Sequence, residues 1–150
     1  MRNFLLLAVF LLLLAAGYFL QVSDLLTSDI ETTTVASECD LRQQACQIQY
    51  QGEQWHFAIS PSNFTVLQPL TISLKTLSDS GSRPVSVKVQ FEGINMDMGY
   101  NLVKLKPISD KLFQAEGMIP ECTAETMYWL VHLIISSEDK QTDFQFRIQT

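Results

Sequence analysis

Val85-Ser86-Val87-Lys88-Val89-Gln90-Phe91 alternates apolar and polar side chains without a break. Period two belongs to an extended strand, whose successive side chains point to opposite faces. Three of the four apolar residues are valines, whose branched Cβ suits a pleated surface. The run predicts a strand that buries its odd-numbered residues in a core and leaves its even-numbered ones in solvent. It is the clearest period-two run in the chain.

Outward from this strand, both flanks read the same way. Upstream, Leu70, Ile72 and Leu74 alternate with Thr71 and Ser73. Cys46–Tyr50 and Trp55–Ile59 flank the polar Gln51-Gly52-Glu53-Gln54, a turn between short extended runs. Downstream, Tyr100–Lys106 and Leu112–Met118 predict a hairpin across Pro107–Lys111. Met127–Ile135 is apolar on both faces, as a central strand would be, and Tyr128 and Trp129 at its start are expected to pack inside. Phe144, Phe146 and Ile148 alternate in a closing strand over 142–149. About eight strands, frequent turns and no amphipathic helix predict an all-β, antiparallel, immunoglobulin-like sandwich. A turn is the most helical feature expected after the N-terminus, at Asp40–Ala45.

The N-terminus is different. Phe4–Val22, FLLLAVFLLLLAAGYFLQV, holds 19 residues without a charge, close to the roughly 20 needed to span a bilayer as a helix. Arg2 before it favours keeping that end in the cytoplasm. A cleavable signal is the competing reading, with a small-residue site at Ala15-Ala16-Gly17. Tyr18-Phe19-Leu20 continue the apolar run past that site, which favours a retained anchor over 1–22. Residues 23–37, polar and threonine-rich, read as a linker. Residues 38–150 then form one extracytoplasmic domain, long enough for a core of its own.

Beyond Arg2 the chain has nine basic and sixteen acidic residues, a formal charge of −7. That argues against nucleic acid and anionic lipid heads as partners. There is no G-x-S-x-G elbow and no phosphate-binding glycine loop, so an enzyme is not expected. Glu121 and Glu125 flank Cys122, and neighbouring carboxylates disfavour a thiolate nucleophile there. His56 and His132 each lie alone in a strand, opposite the expected core face, where a structural role is commoner than a ligand role.

Cys39, Cys46 and Cys122 make an odd count. In an exported protein two are expected to pair, and spacing does not choose among the three pairings. The six residues between Cys39 and Cys46 match neither a redox C-x-x-C nor a zinc-finger spacing.

One stretch carries recognisable ligand chemistry. Asn95-Met96-Asp97-Met98-Gly99 spaces two thioethers at i and i+2, on one side of an extended backbone. Thioether sulfur is soft and selects Cu(I) over harder cations. If the alternation of Val85–Phe91 continues, Met96 and Met98 point outward with Lys88 and Gln90. A bulge at Gly93 would turn both into gap-filling core residues, a common use of methionine. Asp97 between them favours exposure, because a buried unpaired carboxylate is costly. Strand order also places the loop holding Cys122 at the same end as the methionines, with Cys46 as a further candidate.

Gly93-x-x-Met96-x-Met98-Gly99-Tyr100-Asn101, Ile119-Pro120-x-Cys122 and Met127-x-Trp129 resemble a group of small bacterial proteins with one N-terminal membrane helix. The M-x-M loop on an exported sandwich is also similar to YtkA-like and FixH-like domains. That resemblance implies a copper-binding or copper-delivery protein supporting respiratory oxidase assembly. It implies a single pass of the cytoplasmic (inner) membrane, with the domain on the periplasmic side. The histidine frequent near such methionines is missing here. The expected ligands are Met96, Met98 and Cys122, the cofactor Cu(I), and the disulfide Cys39–Cys46. The partners would be the membrane, through the anchor, and a respiratory oxidase or copper-transfer protein. The alternative is a metal-free interaction or assembly module that uses the methionine loop as a contact surface.

Overall fold

The computed structural model describes residues 6, 11–14, 16–18, 31–78, 83–121, 123 and 126–150. Among these, nine strands follow one another: β1 (Glu31–Ser37), β2 (Cys46–Tyr50), β3 (Glu53–Ser60), β4 (Pro69–Thr76), β5 (Ser86–Gly93), β6 (Asn101–Ser109), β7 (Leu112–Met118), β8 (Tyr128–Ser136) and β9 (Lys140–Gln149). They join in one sheet of order β1-β9-β8-β5-β6-β7-β4-β3-β2. The unit from Glu31 to Thr150 is therefore all-β, as the alternation predicts.

The sheet curls on itself. Phe57 on β3 and Phe146 on β9 stand near opposite ends of the strand order, yet their rings lie 5.3 Å apart. β6 forms the corner: its first half pairs with β5 as far as Leu105, and its second half pairs with β7 from Lys106. The register shifts between Pro107 and Ser109, so the strand bends where proline interrupts the ladder. The predicted turn over 107–111 narrows accordingly to Asp110-Lys111.

The core is the concave face of this sheet. Val87, Val89 and Phe91 of β5 are fully buried, as are Trp129, Val131, Leu133 and Ile135 of neighbouring β8. Val85, the first residue of the defining run, lies just before β5 and is exposed. Tyr128 is also half exposed, correcting the expectation that it packs inside beside Trp129. It is the even partner in an alternation that buries Trp129, so its ring faces outward.

Two local features follow directly from residue chemistry. The β2–β3 connection tightens to Gln51-Gly52, both at positive φ (51° and 81°). That is the two-residue hairpin geometry matching the twist of the strands, and glycine supplies the second position without steric cost. Between Cys39 and Cys46, Asp40 organises the expected turn: its carbonyl accepts from Gln43 N and its Oδ1 from Arg42 N. Hydrogen bonds from the Arg42 side chain and backbone hold the Asp40 carboxyl below the usual carboxylate range.

Three expectations change. Among the described residues there are nine strands rather than about eight. The sheet is mixed rather than antiparallel, because β1 runs parallel to β9, from Glu31 opposite Lys140 to Ser37 opposite Phe146. β1 also occupies the C-terminal part of the expected linker 23–37, so the compact unit is Glu31–Thr150 rather than 38–150. Thr32, Thr33, Thr34 and Val35 are β-branched, and β9 offers them an open edge. That combination turns a threonine-rich stretch into a strand. Residues 23–30 lie outside the described residues. So does most of the expected anchor 1–22, of which residues 6, 11–14 and 16–18 are helical. Among the described residues no helix is long and apolar enough to cross a membrane.

Cys39 and Cys46 form a disulfide with a Cα–Cα distance of 5.8 Å. Cys39 follows β1 by two residues and Cys46 opens β2, the first and last strands in the sheet order. The bond therefore joins the two edges of the curled sheet. For so short a loop, the loss of unfolded-chain entropy is worth about 2–3 kcal/mol.

Candidate functional site

Strand β5 ends at Gly93, whose partner across the sheet is Trp129. Beyond it the chain leaves the ladder and folds back, so the alternation that governs Val87–Phe91 no longer applies. A Cβ on Gly93 would stand 2.2 Å from the Met96 carbonyl oxygen, closer than any real Cβ contact. Glycine is thus required at this position by backbone approach, not by φ. Asp97 Oδ1 accepts from Gly99 N at 2.8 Å, and Gly99 takes a φ of +69°. This turn sends the chain into β6.

The fold-back separates the two methionines. Met96 is 38% exposed, while Met98 is half-buried and packed against the core. Neither expected alternative holds: the pair is neither wholly outside nor wholly inside, because 94–98 lies outside any strand and bends at 94–96. The loop lines an open concavity of about 560 Å³ with Gln90, Glu92 and Gly93.

Asn95 fixes the loop in place. Its Nδ2 donates to the Thr126 carbonyl at 3.0 Å, and its Oδ1 accepts from Tyr128 N at 3.0 Å. Ile94 N also donates to the Tyr128 carbonyl at 2.8 Å. One amide side chain therefore ties the methionine loop to the segment leading into β8, a role that sequence spacing does not reveal. Asn101 Nδ2 donates to the Met118 carbonyl at 3.2 Å, bringing the end of β7 to the same region.

Cys122 itself lies outside the described residues. On either side of it, Ile119 is fully buried and its carbonyl accepts from Leu67 N, and Thr126 is held by Asn95. Both ends of the 119–126 connection thus stand at the end of the domain that carries the methionines. Cys46, the further candidate, is fully buried and committed to the disulfide, so it offers no thiolate.

Met127 is a thioether that the sequence does not mark as a ligand. It is 3% exposed and precedes β8. Its terminal Cε and the Met98 Cγ each lie 3.1 Å from the point a Gly93 Cβ would occupy, so the two side chains are neighbours over the glycine. The spacing of 29 residues hides this pairing, and Met127 opens an apolar run that reads as core.

On the convex face, His132 has a more specific environment than an isolated strand histidine. Its Nδ1 lies 2.9 Å from Asp143 Oδ2 and its Nε2 lies 2.9 Å from Glu92 Oε2. Gln145 Nε2 donates to the same Asp143 oxygen at 3.0 Å, while Asp143 Oδ1 is buried with no hydrogen-bond partner among the described residues. Both ring nitrogens are committed to carboxylates, which leaves neither for a metal. Among the described residues, no group of three or more histidine, cysteine, aspartate or glutamate side chains is arranged to hold a metal ion.

No model of a known protein family matches the chain, and neither a curated protein nor a solved structure does.

Proposed function

We propose that this protein is a membrane-anchored, extracytoplasmic domain that binds and delivers Cu(I) through Met96, Met98 and Cys122. In this reading the curled sheet is an immunoglobulin-like sandwich. It stands on the periplasmic side of the inner membrane and serves respiratory oxidase assembly. The observation that carries it is the Asn95 clamp, which holds the methionine loop against the segment following Cys122. Soft thioethers favour Cu(I), and the different depths of Met96 and Met98 suit a site that takes a metal from solvent and releases it to a partner. The resemblance to YtkA-like and FixH-like domains belongs to this proposal.

The test is a competition titration of the full-length chain in detergent micelles with a chromophoric Cu(I) chelator. Replacing Met96 and Met98 together with leucine should weaken Cu(I) binding at least ~10-fold, by the scale of ligand-support losses at metal sites. Unchanged affinity in this double variant removes the copper reading. A count of one free thiol per chain is expected alongside the disulfide.

A second reading has its own observation. Ile94, Met96, Tyr100, Met118 and Tyr128 are all exposed by 38–77% at this end of the domain. A rim of apolar side chains is what a metal-free assembly module would present to a partner. Loss of partner capture without any Cu(I) binding would favour that module.

A further inference from the structure

Met96, Met98, Met118 and Met127, four of the chain's five methionines, belong to the end of the domain where β5 and β7 finish and β8 starts. Three of them are graded in depth: Met96 is 38% exposed, Met98 is half-buried, and Met127 is 3% exposed. Gly93 is the reason they can approach. Because it has no Cβ, the Met96 carbonyl folds down over it, and Met98 and Met127 both pack onto the space it leaves.

Met127 is held rigidly at its backbone. Its N–H donates to the Thr150 carbonyl at 3.2 Å, and its carbonyl accepts from Thr150 N at 3.0 Å. Trp129 Nε1, two residues on, donates to Thr150 Oγ1 at 3.1 Å. With its backbone paired and its side chain 3% exposed, Met127 has less ordering left to lose on meeting a soft cation than an exposed methionine has.

We infer that Met127 is a further sulfur ligand of the Cu(I) site and forms its buried floor beside Met98. This rests on the copper reading of the methionine loop and adds a ligand to it. Met96, on the rim, would be the first of these thioethers to meet a cation from solvent, and Met98 and Met127 would hold it from the buried side. Cu(I) accepts such a set because soft thioethers select it and zinc, magnesium and calcium prefer harder donors. An apolar shell around a metal also controls solvent access to it.

The experiment uses the full-length chain in detergent micelles, labelled with carbon-13 at the methionine methyl groups and titrated with Ag(I) as a redox-silent analogue of Cu(I). The methyl signals of Met98 and Met127 are expected to shift together and to saturate at one equivalent. In parallel, Met127→Leu, which keeps side-chain volume, is compared with the parent and with the Met96→Leu/Met98→Leu variant by Cu(I) competition. Met127→Leu should lose at least ~10-fold in affinity, the scale seen when metal-site support is removed. A parent that binds Cu(I), a double variant that loses it, and an unmoved Met127 signal with unchanged Met127→Leu affinity overturn the inference alone. A parent with no Cu(I) affinity overturns both the inference and the proposed function. The methyl readout needs no substitution, so a folding defect in Met127→Leu cannot mask the result.

Discussion

Strand β5 and the loop that continues it differ sharply although the chain passes from one to the other without a break. In β5, every second side chain from Val87 to Phe91 is fully buried, because β6 and β8 pair with it on both sides and hold its pleat in register. In the loop, Ile94 and Met96 are exposed and Met98 is half-buried, with no ladder to impose a period. A side chain's direction is readable from its neighbours in sequence only while strand partners enforce the pleat. At Gly93 the ladder stops, and three-dimensional packing takes over.

The difference can be tested in energy. Phe91→Ala should cost about 3–5 kcal/mol by urea denaturation, the usual cost of removing a fully buried aromatic ring. Met96→Leu, five residues later, should stay within about 0.5 kcal/mol, as exposed substitutions do. Comparable losses at the two positions would contradict the contrast between strand and loop.

Gly93→Ala probes the boundary itself. The new methyl would meet the Met96 carbonyl, which belongs to backbone and cannot rotate away. A loss of about 1–3 kcal/mol is expected, the range for forced overpacking. Faster amide hydrogen exchange should appear at 94–99 while Val87–Phe91 keeps its protection. If protection falls equally in both segments, the loop is not an independent unit.

A smaller loss than at Gly93 should come from Asn95→Ala. It removes two hydrogen bonds at an exposed position, each worth net about 0.5–1.5 kcal/mol at most. A total near 1 kcal/mol is expected, together with increased proteolysis within 94–99. An unchanged cleavage pattern would show that the Ile94–Tyr128 backbone bond holds the loop unaided.

The alternation of β4, β5 and β9 was legible because each strand has one buried and one solvated face, so hydropathy reports direction. β8 was less legible: its sequence is apolar on both faces, yet only Trp129, Val131, Leu133 and Ile135 are fully buried while Tyr128 on the other face is half exposed. β1 was not legible: a threonine-rich stretch reads equally as linker or edge strand, and only the free edge of β9 decides. At the candidate site, Met96 and Met98 announce themselves by spacing. Met127 and Asn95 do not, because their contacts cross some thirty residues of chain. His132 likewise reads as isolated until β5 and β9 bring Glu92 and Asp143 to its two nitrogens.

The amino-acid sequence by itself determined the all-β character, the buried face of β5 and a hairpin turn within Gln51–Gln54. These depend on local sterics and on a hydrophobic period repeated every two residues. The curl of the sheet, the parallel docking of β1, the choice of Cys39 with Cys46, and the approach of Met127 to Met98 were decided only in the tertiary structure. Each requires groups distant along the chain, or competing for one partner, to settle which of several locally equal arrangements packs best.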